Sequence, residues 1–269
     1  VNRRPTVGFH DFLNSRPILH PFRHGLVETP FTLVIDTPAN LAARFADGKL
    51  DMALIPSIEY ARIPDAVIVP PVCIASLGAV ETVLLYGEAA IEDIETVYVD
   101  PKSRTSVAML EILFREVYRK EVTLVVGRDD RPDDLLRDAD GVLVIGDAAF
   151  AVDRNRYVVH DLGALWYAYA GRPFVHAVMV ARDGARWDAA VAAIADGLTS
   201  GLAHRELIVH EETADRRERD RLYDYLTKRI RYRLDAEEID GLRHFLTQAK
   251  KLGLAERDDL VFYPESPDA

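Results

Sequence analysis

The sequence predicts an α/β protein of two lobes, and three features carry that expectation. Short β-branched apolar runs alternate with amphipathic stretches; the alternation halts after Tyr86 and restarts at Thr96; and the last apolar run, Phe174 to Val180, is followed by charged helical sequence. Alternating strands and helices build mostly parallel sheets covered on both faces. Two such blocks suggest two sheets, with the final helices returning to the first. The expected division is 1–86 plus 177–269 in one discontinuous lobe and 87–176 in the other, with crossings near Tyr86 and Phe174.

In the first block, Val7 to Phe12 reads as a strand, and Asn14-Ser15-Arg16-Pro17 as a helix start with capping side chains and an early proline. Phe31 to Asp36 is a second strand. Thr37-Pro38 opens a helix through Leu41, Ala42 and Phe45 that ends at Gly48. Asp51 to Ile55 is a short buried strand, and Pro56-Ser57 leads into a brief helix through Ile58 and Tyr60. Val67 to Ser76 and Glu81 to Tyr86 are β-branched enough for sheet positions.

The second block runs through a strand at Thr96 to Val99, a polar turn at Ser103 to Ser106, and an amphipathic helix from Val107 to Tyr118. Val122 to Val126 is a strand, Asp133 to Arg137 a helix, and Gly141 to Ile145 a strand. Past Gly146-Asp147 the chain reads as helix or loop, then as a helix from Leu162 to Ala170. Phe174 to Val180 is the last predicted strand. Trp187 to Gly253 reads as three charged amphipathic helices, and the tail from Glu256 as irregular.

Composition narrows the function. With 49% hydrophobic residues, a chain of 269 buries the core of one large domain or two modest ones. The net charge of −11 disfavours nonspecific nucleic-acid binding, which needs cations to displace counterions from phosphates. No apolar run approaches the ~20 residues of a membrane helix. Cys73 stands alone, so no intrachain disulfide is expected and a reducing compartment fits. Val1-Asn2-Arg3-Arg4-Pro5 does not read as a secretory leader, so the cytoplasm is the expected location. No pattern of residues specifies an oligomeric state.

Ligands of parallel sheets bind beyond the strands' carboxyl ends, where helix N-termini point. Three junctions share one chemistry there. Val7–Phe12 runs into Leu13-Asn14-Ser15-Arg16-Pro17, Met52–Ile55 into Pro56-Ser57, and Thr96–Val99 into Ser103-Arg104-Thr105-Ser106. Hydroxyls, amides and free helix amides suit a carboxylated ligand held in one cleft between lobes. Capping alone also explains such residues at any single junction, but Ser103 to Ser106 is denser than capping requires. His10 either lines the cleft or is satisfied on its strand, and His176 reads the same way. Asp147, at a strand's carboxyl end, either faces the cleft or caps the next helix. His20 and His24 stand four apart, but no acidic or cysteine cluster lies near them in sequence, so no metal is expected. Phosphate-binding glycine loops and nucleophile elbows are absent from the sequence.

Taken in order, these motifs resemble the chorismate dehydratase family of menaquinone biosynthesis. The resemblance rests on Phe12-Leu13-Asn14-Ser15-Arg16-Pro17, Asp51-Met52-Ala53-Leu54-Ile55-Pro56-Ser57-Ile58-Glu59-Tyr60, Cys73-Ile74-Ala75-Ser76 and Ser103-Arg104-Thr105-Ser106. It continues through Ile145-Gly146-Asp147, Asp161-Leu162-Gly163, Gly171-Arg172-Pro173-Phe174-Val175 and the pattern Ile230, Tyr232, Leu234, Gly241-Leu242 and Phe245. Phe12 stands where the family usually has Tyr, and Met179 where it often has Trp.

The resemblance implies a two-lobed type II periplasmic-binding-protein-like fold, each lobe a mixed sheet flanked by helices, with the ligand cleft between. It implies loss of water from chorismate to give 3-[(1-carboxyvinyl)oxy]benzoate, with no cofactor. Ser57, Ser103, Thr105 and Ser106 would then hold carboxylates with Arg104 beside them. Ser76 would come from a crossing strand, and Asn14 would contact the ring or steady developing charge. Asp147, His10 and the substrate's own side-chain carboxylate are the candidate bases. The rival readings are the sister dihydroxynaphthoate synthases, which carry a Ser-Pro-Cys-Pro-Asn-Asp-like first loop in place of Leu13-Asn14-Ser15-Arg16-Pro17, and a noncatalytic protein binding a small carboxylate.

Overall fold

The computed structural model describes residues 3–101, 103–126 and 135–264, and it has two sheets. The first contains β1 (Thr6–Phe9), β2 (Thr32–Ile35), β3 (Met52–Pro56), β4 (Ala66–Ser76), β10 (Phe174–Arg182) and β11 (Ile230–Arg233). Its order is β11-β4-β10-β3-β1-β2. The second contains β5 (Val83–Gly87), β6 (Thr96–Val99), β7 (Thr123–Val126), β8 (Gly141–Ile145) and β9 (Val158–Asp161), in the order β7-β6-β8-β5-β9. Both sheets are mixed. β1 runs parallel to β2 and β3, and β6 to β7 and β8, while β10, β11 and β5 pair antiparallel to their neighbours.

Local chemistry explains the elements. β3, the run Met-Ala-Leu-Ile-Pro, is buried at every position because the sheet is covered on both faces. α2 (Pro38–Ala46) starts where Thr37 accepts from the Asn40 amide and Pro38 fills the first turn. α4 (Thr105–Glu116) and α5 (Leu162–Ala170) cover the second sheet, and α5 ends at Gly171 in the left-handed conformation. Trp166 of α5 packs edge-on against Phe174 and Phe245, joining α5 to β10 and to α9 (Ala236–Lys251). The Asp235–Glu238 capping box opens α9. That helix packs on β10 and α4, whereas α6 (Asp188–Ala203), α7 (Arg205–Glu212) and α8 (Arg216–Asp224) precede it in the chain and α1 (Arg16–Arg23) packs on α6.

The chain passes between the sheets twice. It leaves β4 at Ser76 to enter β5, and returns from β9 through α5 to β10. β5 therefore sits in the second sheet, hydrogen-bonded to β8 and β9, although the sequence division ended the first lobe at 86. Likewise β10 begins in the first sheet at Phe174, where Phe174 pairs with Ser76. Asp161 staples the two crossings. Its carboxylate accepts from the Ala164 amide of α5 and from the amides of Val80 and Glu81 on the outgoing segment, at 3.1, 3.1 and 2.7 Å. The segments lie so close that a Cβ on Gly163 would stand 2.6 Å from the Gly78 carbonyl oxygen.

The C-terminal stretch departs from three helices. α6, α7, α8 and α9 are interrupted by a π-turn at Tyr225–Arg229 and by β11, which pairs with β4. In β11, Ile230 and Tyr232 face the core while Arg231 and Arg233 stay out, a period of two hidden within a charge-rich run. β9 is a second strand that the reading missed. The expected helix Asp133–Arg137 lies partly outside the described residues. Beyond α9 the chain is irregular, as expected, but it is anchored: Tyr60 Oη accepts from the Val261 amide at 2.8 Å, and Phe262 bridges to Ile68.

Candidate active site between the sheets

The carboxyl ends of β1, β3 and β8 and the start of α4 converge on one cleft, with about 570 Å³ of free space including its solvent-open mouth. Its polar lining is His10, Asn14, Thr82, Arg104, Thr105 and Ser106, with His176 opposite. Phe12, Ile74, Val80, Val83 and Ile145 supply apolar wall. None of the described lining residues is acidic. Arg104 is exposed and has no ion-pair partner among the described residues. The first amides of α4 have no intrahelical acceptor, so the described lining combines the positive charge of Arg104 with a helix N-terminus.

Asn14 sits in a 3-10 turn, Leu13–Ser15, between β1 and α1. Ser15 makes no cap with its side chain, contrary to the sequence reading. Its hydroxyl turns back to donate to the His10 carbonyl and, at 3.0 Å, to that of Phe12. That pins the turn and aims Asn14 into the cleft. The Tyr225 phenol lies against the Asn14 amide and shares a 2.8 Å hydrogen bond with the Thr82 hydroxyl. Burial pushes the Tyr225 hydroxyl far above its usual range, so it stays a neutral hydrogen-bonding group.

Asp147 neither lines the cleft nor caps the helix that follows it. Its carboxylate accepts from the Leu13 amide at 3.0 and 3.3 Å, capping the 3-10 turn of the opposite lobe. Gly146 beside it has φ +64, and a Cβ there would lie 3.3 Å from the Phe12 ring, so the ring rests on bare backbone. Thr105 makes a second bridge across the cleft, accepting from the Ile58 amide at the start of α3 (Ser57–Tyr60) at 3.3 Å.

Three other predicted residues stand behind the lining. Ser57 is fully buried and donates to the Val175 carbonyl at 2.6 Å. Ser76 Oγ shares a 2.9 Å hydrogen bond with His176 Nε2. Ser103 is buried with its hydroxyl unpartnered. His176 reaches the cleft because β10 bulges there: Val175 pairs with Ala75 and Ala177 with Ile74, which leaves His176 as the extra residue. No sequence signal marks such a bulge. Thr82 and Tyr225 were also missed, the first at an unremarkable strand start and the second inside the charge-rich run.

Burial lowers both His10 and His176 to about 4, so each ring is neutral at pH 7. The Nδ1 atom of His10 is buried without a hydrogen-bond partner. Met179 is buried in β10 opposite Leu54 and away from the lining, so its departure from the family pattern leaves the cleft wall untouched.

Two mixed sheets, crossed twice by the chain and opening a cleft at their strand ends, define a periplasmic-binding-protein-type fold. The structure matches protein AF1704 from Archaeoglobus fulgidus with a TM-score of 0.76 at 15% identity, over 93% of this chain and 98% of that one. It matches the periplasmic aliphatic sulphonate binding protein SsuA from Escherichia coli with a TM-score of 0.63 at 13% identity, over 96% and 95%. Both likenesses speak for the fold. The sequence adds the family: the model described as menaquinone biosynthesis matches residues 5–251, and the chain belongs to that family. A relative, the chorismate dehydratase of Thermus thermophilus, is 27% identical, with 91% of this chain and 94% of that protein aligned.

Proposed function

We propose that this chain is a chorismate dehydratase, converting chorismate to 3-[(1-carboxyvinyl)oxy]benzoate and water. The observation that carries the reading is the cleft lining, which among the described residues offers Arg104, the α4 amides and several hydroxyls but no carboxylate. Such a lining accepts a dianion with two carboxylates and would repel nothing on it. The name of the Thermus thermophilus relative supports the same substrate.

In this reaction the ring carbon bearing the enolpyruvyl ether loses its proton, and the neighbouring carbon loses its hydroxyl. Proton and hydroxyl leave as water, and the ring becomes aromatic. Aromatisation drives the step, so the protein's work is to bind, orient and move one proton. In our reading Arg104, Thr105 and Ser106 hold a carboxylate at the α4 N-terminus. Asn14, steadied by Tyr225, faces the ring. Ser57, Ser76 and Ser103 act from behind, holding the wall that touches substrate.

Of the three candidate bases, the side-chain carboxylate of the substrate fits best. Asp147 is engaged with the Leu13 amide and lies outside the lining. His10 lines the cleft, but protonating it would create a charged ring with an unpartnered buried Nδ1–H, a cost of several kcal/mol. The substrate's carboxylate is already tethered beside the ring, and intramolecular delivery has a large effective molarity. It takes the proton and passes it to the departing hydroxyl.

The test is incubation of purified protein with chorismate, without added metal or nucleotide, followed by chromatography and mass spectrometry. The expected result is an aromatic product lighter than chorismate by one water. Recovery of chorismate at its spontaneous decay rate, or turnover of a cyclic futalosine product instead, would reject the assignment.

A further inference from the structure

Away from the cleft, α1 and α7 bring together a different set of side chains. Among the described residues, one group of three metal-ligating side chains has its ligand atoms within 4.8 Å of one another: His20, His24 and Glu211. The sequence showed only two of these. Four-residue spacing puts both imidazoles on one face of α1 and its C-cap, and Glu211 arrives from 191 residues beyond His20. We propose that His20, His24 and Glu211 form a binding site for a divalent transition metal, zinc by its ligand set, that ties α1 to α7.

The ligand atoms are spaced as an ion requires, although His20 Nε2 also makes a long contact with Glu211 Oε1 at 3.5 Å. Glu211 Oε2 stands 3.3 Å from His20 Nε2 and 3.7 Å from His24 Nε2. Both exceed the roughly 2.7–3.2 Å of an N–H···O hydrogen bond. They straddle the edge of about 3.4 Å that separates ligands on a tetrahedral ion with bonds of ~2.0–2.1 Å. One carboxylate oxygen lies near both Nε2 atoms, and because the rings are stacked, 4.0 Å between centroids, at least one must rotate to aim its in-plane lone pair at a shared ion. Two histidines and one glutamate, with a water completing the tetrahedron, form a familiar zinc set.

The surroundings leave the trio free for an ion. The nearby cations are already neutralised, Arg23 by Asp11 and Arg16 by both Asp11 and Glu212. His20 is buried, so its side chain is held in place beneath the other two. His24 and Glu211 are exposed, which gives an ion a way in. Because α1 begins directly after the Asn14 turn, an ion here would fasten the segment carrying Asn14 to the C-terminal helices.

The experiment uses the full chain without an affinity tag. Zn2+ is titrated by calorimetry and by competition with a chromophoric chelator, and Co2+ is added separately for its visible spectrum. His24→Ala and Glu211→Gln are the comparison variants, chosen because both residues are exposed; His20 is left intact to spare the fold. We expect one Zn2+ per chain, a higher Tm with Zn2+, and intense tetrahedral Co2+ bands. Each variant should weaken Zn2+ binding by at least the ~10-fold that even outer-shell changes cost. Absence of saturable binding in the wild type overturns the proposal. So does binding that persists unchanged in both variants, which would place the ion elsewhere. Neither result bears on the chorismate reading, because none of the three residues lines the cleft.

Discussion

Ser57→Ala separates a strut from a ligand. Ser57 Oγ donates to the Val175 carbonyl at 2.6 Å in a fully buried setting, next to the bulge that turns His176 into the cleft. Removing the hydroxyl costs between the ~1 kcal/mol net value of a hydrogen bond and the ~3 kcal/mol of an orphaned buried acceptor. In a chain of this size that lowers Tm by roughly 2–12 °C, at about 2–4 °C per kcal/mol. The bulge should also lose its grip on His176, so kcat/KM for chorismate falls by about tenfold, or about 1.4 kcal/mol. Urea unfolding and steady-state kinetics measure the two effects. A variant within about 0.5 kcal/mol of wild-type stability, with KM raised and kcat kept, would refute the strut and make Ser57 a direct substrate ligand.

Three further outcomes follow from the same geometry. His10→Ala should keep turnover within about tenfold of wild type, whereas a loss of 10²–10⁴, the range of a general base, would assign the proton to His10. Arg104→Ala should raise KM roughly 10–100-fold, as for loss of a charge-assisted contact worth ~1.5–3 kcal/mol. Its urea midpoint should not move, because the side chain has no ion-pair partner among the described residues. Stability should decline on acidification between the ordinary histidine value of 6.5 and about 4. The sign follows from the direction: a histidine whose folded pKa is depressed supports the fold above 6.5 and loses that support as pH falls through its folded value. For His10 the difference by pH 4 is about 3 kcal/mol. Urea titrations from pH 7 to 4 should show the decline, and His10→Asn should lessen it.

Much of this molecule was legible in the sequence, for identifiable reasons. Strands such as Met52–Pro56 are continuous apolar runs bounded by breakers, and α2 announces itself with Thr37-Pro38. Convergence of Asn14, Arg104, Thr105 and Ser106 followed from one rule about strand ends. What stayed hidden was set by partners distant in the chain. β11 has a period of two only over Ile230 to Arg233, too short to stand out among charges. β5 belongs to the second sheet through its pairing with β8 and β9, which its own residues do not encode. The Asp147 carboxylate was visible, but its acceptor role toward the Leu13 amide spans 134 residues. Glu211 was missed beside His20 and His24 for the same reason.

The knot at Asp161 constrains how a ligand gets in. One carboxylate grips amides from the departing and the returning chain, so neither connection lengthens independently of the other. Swinging the halves apart becomes a rotation about that point. The hydrogen bonds it strains at the cleft include Leu13 to Asp147, Ile58 to Thr105 and Tyr225 to Thr82. A ligand too large for the cleft mouth would therefore have to unlatch these bonds together, about a common pivot, rather than one at a time.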